Sequence, residues 1–256
     1  MIECGSFEFA QGRLNARHGQ RLREADWRRI ESLRELGPLL DSARGTALRP
    51  WLAGITAESS VHQVESTLRR HWRDTVAEVA GWMPESWRAA LAWWAVLPDL
   101  APLQQLAGQR EPAPWMRDDS IWREFCAAEP GSRAARLAAG GPLAALAVAW
   151  SVPQTLARAW QAEWQRRWPP HRRDPDDTLA QLVRVLLDHR RAFVAADPAQ
   201  GWLLRGSLRA RLALLLRRAT LEPAAAFIHL ALCALDLERL RAELLRRIVF
   251  ARWQVA

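Results

Sequence analysis

The carboxylates, imidazoles and thiols of this chain are the side chains that could carry bond chemistry, and their spacing decides what chemistry is open to them. Asp174, Asp176 and Asp177 form the tightest carboxylate group. Carboxylates this close can divide acid and base roles when an apolar pocket separates their pKa values. These three instead follow Pro169-Pro170 and precede a helical pattern, a polar setting with a different use for them. An Asp beside a Pro at a helix start supplies a side-chain acceptor, a preset backbone angle and negative charge where the helix dipole favours it. Capping is the role this pattern predicts. The six histidines, His18, His62, His71, His171, His189 and His229, are scattered. His62 and His71 lie nine residues apart on one helical pattern and so fall on opposite faces, which does not make a metal pair. Cys4, Cys126 and Cys233 belong to no paired motif. Phosphate-binding Gly-rich loops, dinucleotide turns, zinc-protease helices and nucleophile elbows have no counterpart here. The expectation is a chain with no catalytic residue, no cofactor and no metal.

The second chemistry on offer is recognition by tryptophan and arginine. The chain holds fifteen Trp and no Tyr, and every one of its 36 basic side chains is Arg. Trp82, Trp87, Trp93 and Trp94 cluster, as do Trp150, Trp160, Trp164 and Trp168. Trp160, Trp164 and Trp168 recur every four residues, on one face of a helix interleaved with Arg158, Arg166 and Arg167. Two readings stand. The stripe is a bulky core with arginines stacking on ring faces at its edge, or it is a partner-binding surface, since Trp and Arg dominate interface hot spots. If it binds a partner, Trp93, Trp94, Trp164 and Trp168 are the expected anchors. The basic doublets, such as Arg69-Arg70 and Arg217-Arg218, are dispersed and often close a helix where cations complement its dipole. A net charge of +8 spread this way does not call for nucleic acid. The absence of Lys and Tyr, with Asn15 the single Asn, matches a GC-rich coding bias that makes Arg the default cation.

What must position these groups is helical. Ala, Leu, Arg, Glu and Gln dominate, and no segment alternates in the manner of a strand. Start signals lie at Pro84-Glu85, Ser151-Val152-Pro153, Asp174-Pro175 and Asp197-Pro198. Breaks are predicted at Gly37-Pro38, Gly54, Gly81, Gly108 to Pro114, Pro130-Gly131, Gly140-Gly141-Pro142, Pro169-Pro170 and Glu222-Pro223. These divide the chain into about ten helices in one all-α domain over 1–256, with possible sub-bundles at 1–110, 111–170 and 171–256. The sparse cysteines, and an N-terminus without a basic, apolar leader, predict a cytoplasmic protein. The apolar runs from Ala138 and from Ala224 are too short to span a bilayer. One weak internal repeat pairs the run from Leu91 through Asp99-Leu100 to Leu103 with the run from Leu230 through Asp236-Leu237 to Leu240.

Several of these features resemble one family. Phe7 and Phe9, Arg13 and Arg17, Leu22 and the restart at Glu24-Ala25-Asp26 are followed by Leu39-Leu40-Asp41-Ser42, Thr46 and Trp51-Leu52. That order is similar to the opening of the funnel-shaped stalk subunit (C or d) of V-type and A-type rotary ATPases. Asp99-Leu100 and Asp236-Leu237 stand where that family has acidic-aliphatic steps, although Pro102 and Arg239 occupy the places of its Asn. The likeness covers the two ends, about a third of the chain. The resemblance implies a funnel of three-helix-bundle-like units without an active site. It also implies that the partners are the central stalk and the membrane proteolipid ring, that contact with the inner side of a membrane is peripheral, and that there is no small-molecule substrate. An all-α interaction scaffold with Trp/Arg faces is the alternative from the residues alone, and an Arg-rich nucleic-acid-binding domain is a third.

Overall fold

The computed structural model describes residues 2–108, 110–170 and 177–253, with side chains described between residues 7 and 250. Among them every regular element is helical. Helices α1 (Ile2–Gly19), α2 (Glu24–Ser32) and α3 (Leu36–Arg44) lead into the long α4 (Val61–Trp82) and the shorter α5 (Glu85–Ala92). A 3-10 segment, Trp93–Asp99, feeds α6 (Leu100–Ala107). Three helices of five or six residues follow: α7 (Pro114–Asp118), α8 (Arg123–Ala127) and α9 (Arg133–Ala138). The remainder comprises α10 (Leu156–Arg166), α11 (Thr178–Ala195), α12 (Gly201–Arg218) and α13 (Ala224–Trp253).

Two helices organise the rest. Helix α4 begins with a capping box: Ser60 Oγ accepts from Gln63 N at 3.2 Å, and Gln63 Oε1 accepts from Ser60 N at 2.8 Å. Its buried residues Val64, Leu68, Trp72, Val76 and Val79 lie three or four apart, a single apolar stripe. Helix α13 differs along its length. Ala224 to Ile228, Leu230 and Leu232 are all buried, so its first turns are apolar all round and run through the interior. Beyond them Leu240, Leu244 and Ile248, four residues apart, leave one buried stripe. Arg241 Nε donates to Glu65 Oε1 at 2.6 Å, so the start of α4 meets the second half of α13. At the other end Glu78, Val79 and Trp82 border the same surface groove as His229 and Cys233, and the two helices therefore run in opposite directions.

The apolar interior falls into two clusters that share these helices. Trp27, Ile30, Leu39, Leu40, Leu52 and Ile55 pack on Val64, Leu68, Leu240, Leu244 and Ile248. The larger cluster gathers α1, the second half of α4, α5 to α12 and the start of α13 around Trp72, Trp94, Trp164 and Phe227.

The helix starts at Pro84-Glu85, Ser151 to Pro153 and Asp197-Pro198 are present, the last two through 3-10 turns at Pro153–Thr155 and Pro198–Gln200. At the fourth, Asp177 accepts from Leu179 N at 2.9 Å and caps α11, while Asp174, Pro175 and Asp176 lie outside the described residues. His171, Arg172 and Arg173 lie outside them too, as does the side chain of Cys4. One expected break is displaced: Gly37-Pro38 is the first turn of α3, where a proline costs no hydrogen bond, and the break falls before it. The break at Gly81 is present, since α4 ends one residue later at Trp82. Thirteen α-helices among the described residues replace the expected ten, because the stretch from Pro114 to Ala138 forms three short helices that leave too little periodicity to read.

Candidate functional site

The four tryptophans expected to anchor a partner do not offer a surface for one. Trp93, Trp94 and Trp164 are 3%, 1% and 1% exposed, and only Trp168 is half-buried at the edge. The chain's own rings enclose them. Trp164 meets Trp94 edge-to-face at 5.3 Å, Trp168 at 5.1 Å and Phe227 at 5.1 Å, and stacks on Trp160 at 5.8 Å. Trp93 Nε1 donates to the carbonyl of Trp160 at 2.9 Å, and the Arg167 guanidinium lies 4.5 Å from the Trp93 ring centre. Arg167 and Arg166 are both held by Glu163, at 2.7 and 2.6 Å, which keeps this arginine edge attached to its own helix. Of the two readings of the stripe, these contacts make it the core.

The charges that the fold does bring together sit at the two acidic-aliphatic steps. Asp99 ends the 3-10 segment and is 1% exposed. Its Oδ1 accepts from Arg69 Nη1 at 2.9 Å and from Trp122 Nε1 at 3.0 Å, and Arg73 approaches to 3.8 Å. Arg69 and Arg73 are one turn apart on α4. Arg69 also donates to the Pro98 carbonyl at 3.0 Å and lies 4.1 Å from the centre of the Trp115 ring. Arg73 Nη1 reaches Asp119 Oδ2 at 2.8 Å. Burial pushes the Asp99 carboxyl above the usual carboxylate range, against the pull of Arg69 and Arg73.

Asp236, in α13, repeats the arrangement with arginines from two different elements. Arg21, in the α1–α2 turn, donates through Nε to Asp236 Oδ2 at 2.8 Å and through Nη2 to the Leu232 carbonyl at 3.2 Å. Arg209, from α12, reaches Asp236 Oδ1 at 2.5 Å. Each Asp therefore ties distant segments together, Asp99 through Oδ1 alone and Asp236 through both carboxylate oxygens.

Arg239 binds α2 to α13. It takes Glu24 with two bonds of 2.8 Å and Glu31 at 2.6 and 3.0 Å, over the Trp27 ring. These bonds hold the Glu24 carboxyl below its usual range. One turn-pair further, the buried Arg247 closes the end of α2 by donating to the Leu33 and Glu31 carbonyls, with Glu243 at 2.6 Å. Pro102 is buried in the first turn of α6.

One pair with the elements of nucleophilic chemistry escaped the sequence reading. Cys233 Sγ lies 3.5 Å from His229 Nε2, one helical turn away on α13. Burial pushes the thiol up to about 12 and draws the imidazole down to about 3. At neutral pH this is a thiol beside a neutral ring, the opposite of an activated thiolate–imidazolium pair. Among the described residues no three metal-ligating side chains are grouped, and no helix is long and apolar enough to cross a membrane.

No protein-family model, no curated protein and no solved structure matches this chain.

The sequence carried partial signals for the charge clamps. Asp99-Leu100 and Asp236-Leu237 stand out as the internal repeat, and Arg69 and Arg73 have the one-turn spacing of a paired helix face. Their partners could not be read, since Arg21 and Asp236 are separated by 215 positions.

Proposed function

We propose that this chain is a non-catalytic adaptor of a V-type or A-type rotary ATPase, coupling the central stalk to the membrane proteolipid ring. The observation that carries the reading is the parallel between its two acidic-aliphatic steps. Asp99 and Asp236, two of the positions at which the chain resembles the stalk-subunit family, are each buried and contacted by two arginines from elsewhere in the chain. An element that passes torque between partners has to resist shear between its helices. Buried charge pairs are suited to that task, because displacing either partner strands a charge in the interior. In this reading the sub-bundles form the family's funnel, the positive balance suits a site near anionic headgroups, and ATP chemistry belongs to other subunits.

A second reading is an all-α interaction scaffold outside any ATPase. It is favoured by the exposed Phe193, Val194, Trp202 and Leu203 where α11 turns into α12, beside Arg205. Affinity purification of the tagged chain from detergent-solubilised native membranes separates the two. Recovery of catalytic ATPase subunits together with the proteolipid supports the adaptor. Recovery of unrelated soluble proteins, or of nucleic acid alone, overturns it.

A further inference from the structure

The end of the α11–α12 hairpin stands clear of the rest of the chain. From Arg190 to Ala195, the last turn and a half of α11, every residue is exposed, so the helix has no covered side there. Phe193 and Val194 lie in this stretch, and Trp202 and Leu203 face water across the turn, with Val194 77% and Leu203 73% exposed. Sequence neighbours point about 100° apart on a helix, so each pair spreads apolar surface over a wide arc. Helix α13 adds to the same end. Its Glu243 and Arg246 line one groove with Trp202 and Leu203, and one turn further it exposes Val249 and Phe250. Six of the eleven large apolar side chains exposed among the described residues thus gather at one end of the molecule. Single exposed apolar residues are ordinary, but a gathered set marks an interaction site.

The charge around this end is positive. Residues 184–211 carry six arginines against Asp188 and Asp197. Asp188 is held by Arg191 at 2.6 Å and by Arg211 at 3.4 Å, and Asp197 caps the turn before α12 by accepting from Ala199 N at 2.8 Å. The groove's Glu24, Glu31 and Glu243 are taken by Arg239 and Arg246. Among the described residues, neither Arg190 nor Arg205 forms an ion pair. Arg190 donates to the Gln154 carbonyl at 3.4 Å, and Arg205 lies 4.7 Å from the Phe193 ring centre and 5.0 Å from that of Trp202. Gly201 keeps that stack possible, since a Cβ there would come within 3.2 Å of Arg205 Nη1 and 3.5 Å of Phe193 Cε2.

We propose that this end of the molecule inserts into the interfacial region of an anionic phospholipid bilayer. A projecting end with apolar side chains on every side is covered all round by a bilayer, whereas a folded partner covers one side of it. Trp202 suits the headgroup level, with an apolar body and a polar edge. Arginines bury their stems among the acyl chains and keep their guanidinium groups at the phosphates. No helix among the described residues is long and apolar enough to cross, so the contact is interfacial. The proposal is independent of the adaptor reading, because lipid vesicles contain no ATPase subunit.

The test is flotation of the intact chain with vesicles of equal parts phosphatidylcholine and phosphatidylglycerol, at about 0.15 M salt. The chain should float with these vesicles and bind pure phosphatidylcholine at least about tenfold more weakly. Val194→Glu combined with Leu203→Glu, both at exposed positions, should weaken binding by about tenfold or more with helicity unchanged. Arg190→Gln combined with Arg205→Gln should weaken it about ten- to thirtyfold. Phe250→Glu, on a different helix, should weaken it as well. Phe9→Glu is the control. That exposed ring belongs to the opposite end, where Gln11 accepts from Leu221 N at 3.1 Å just ahead of α13, and its replacement should leave binding unchanged. Absence of flotation with the anionic vesicles overturns the proposal. Binding that survives in the folded Val194→Glu, Leu203→Glu chain, or that Phe9→Glu weakens equally, overturns it too. Self-association that those two glutamates abolish, without vesicle binding, assigns the surface to a second copy and overturns the membrane contact.

Discussion

Mild acid should weaken this fold through one residue. His229 is 3% exposed, its Nδ1 has no partner, and its Nε2 has only the Cys233 sulfur at 3.5 Å. Burial first, then the charges of Arg21, His18 and Arg17, hold its pKa at about 3 against an ordinary 6.5. The folded chain keeps this ring neutral, whereas the unfolded chain protonates it below 6.5. The stabilisation is therefore complete above pH 6.5 and is lost as pH falls toward 3. The slope is about 1.4 kcal/mol per pH unit, so lowering the pH from 6.5 to about 5 removes about 2 kcal/mol. For a chain of this length that is a fall in Tm of about 4–8 °C. The carboxylates held low by arginine, Glu24 and Glu163, begin to lose their own contribution only near 4.5, below this window. His18 and His189 are also held down by burial, but they remain in a His229→Leu control and cancel from the comparison. Urea denaturation of both proteins, followed by circular dichroism between pH 7.5 and about 5, measures the difference. The unmodified chain should lose about 2 kcal/mol more than His229→Leu over the acid half of that range. Parallel losses in the two proteins would refute a neutral His229 in the interior.

Three further outcomes are expected. Asp236→Ala leaves Arg21 and Arg209 facing each other without their carboxylate, and should cost about 3–5 kcal/mol in chemical denaturation; adding Arg209→Met should recover part of it. Trp164→Ala removes a side chain that is 1% exposed and should cost about 3–5 kcal/mol, while Trp168→Ala, at the half-buried edge, should cost clearly less by the same assay. Leu221 is held at a φ of 58°, in the left-handed region, at 39% exposure; Leu221→Asn should raise stability by about 0.5–1 kcal/mol, read as a Tm increase.

Periodicity made the helices legible wherever a segment was long enough to show a stripe. The stripe of α4 and the Leu240-Leu244-Ile248 spacing of α13 are plain in the letters. The five-residue helices α7 and α8 are not, because a single turn and a half has no period to detect. Trp160 and Trp164 share one face of α10 as expected, while Trp168 lies just past its end; whether such a face turns inward depends on what packs on it. Here Trp94 and Phe227, from helices far away in sequence, decide that. The clamps show the same limit from the polar side. Arg69 and Arg73 looked like any other members of a dispersed arginine set until Asp99 was brought to them across thirty positions. Arg239 is among the most heavily bonded side chains described, and no local rule reveals a residue whose partners lie more than 200 positions away.

That α13 completes both apolar clusters has a consequence for the order in which the chain can acquire its structure. Trp27, Ile30, Leu39 and Leu40 are synthesised early, but the stripe that covers them, Leu240 to Ile248, emerges from the ribosome some two hundred residues later. At about 5–20 residues per second, the nascent chain carries an incompletely covered apolar surface for roughly 10–40 seconds. Chains that stop short of α13 cover it on one side only, through Val64 and Leu68, and leave the side that Leu240, Leu244 and Ile248 close open to solvent.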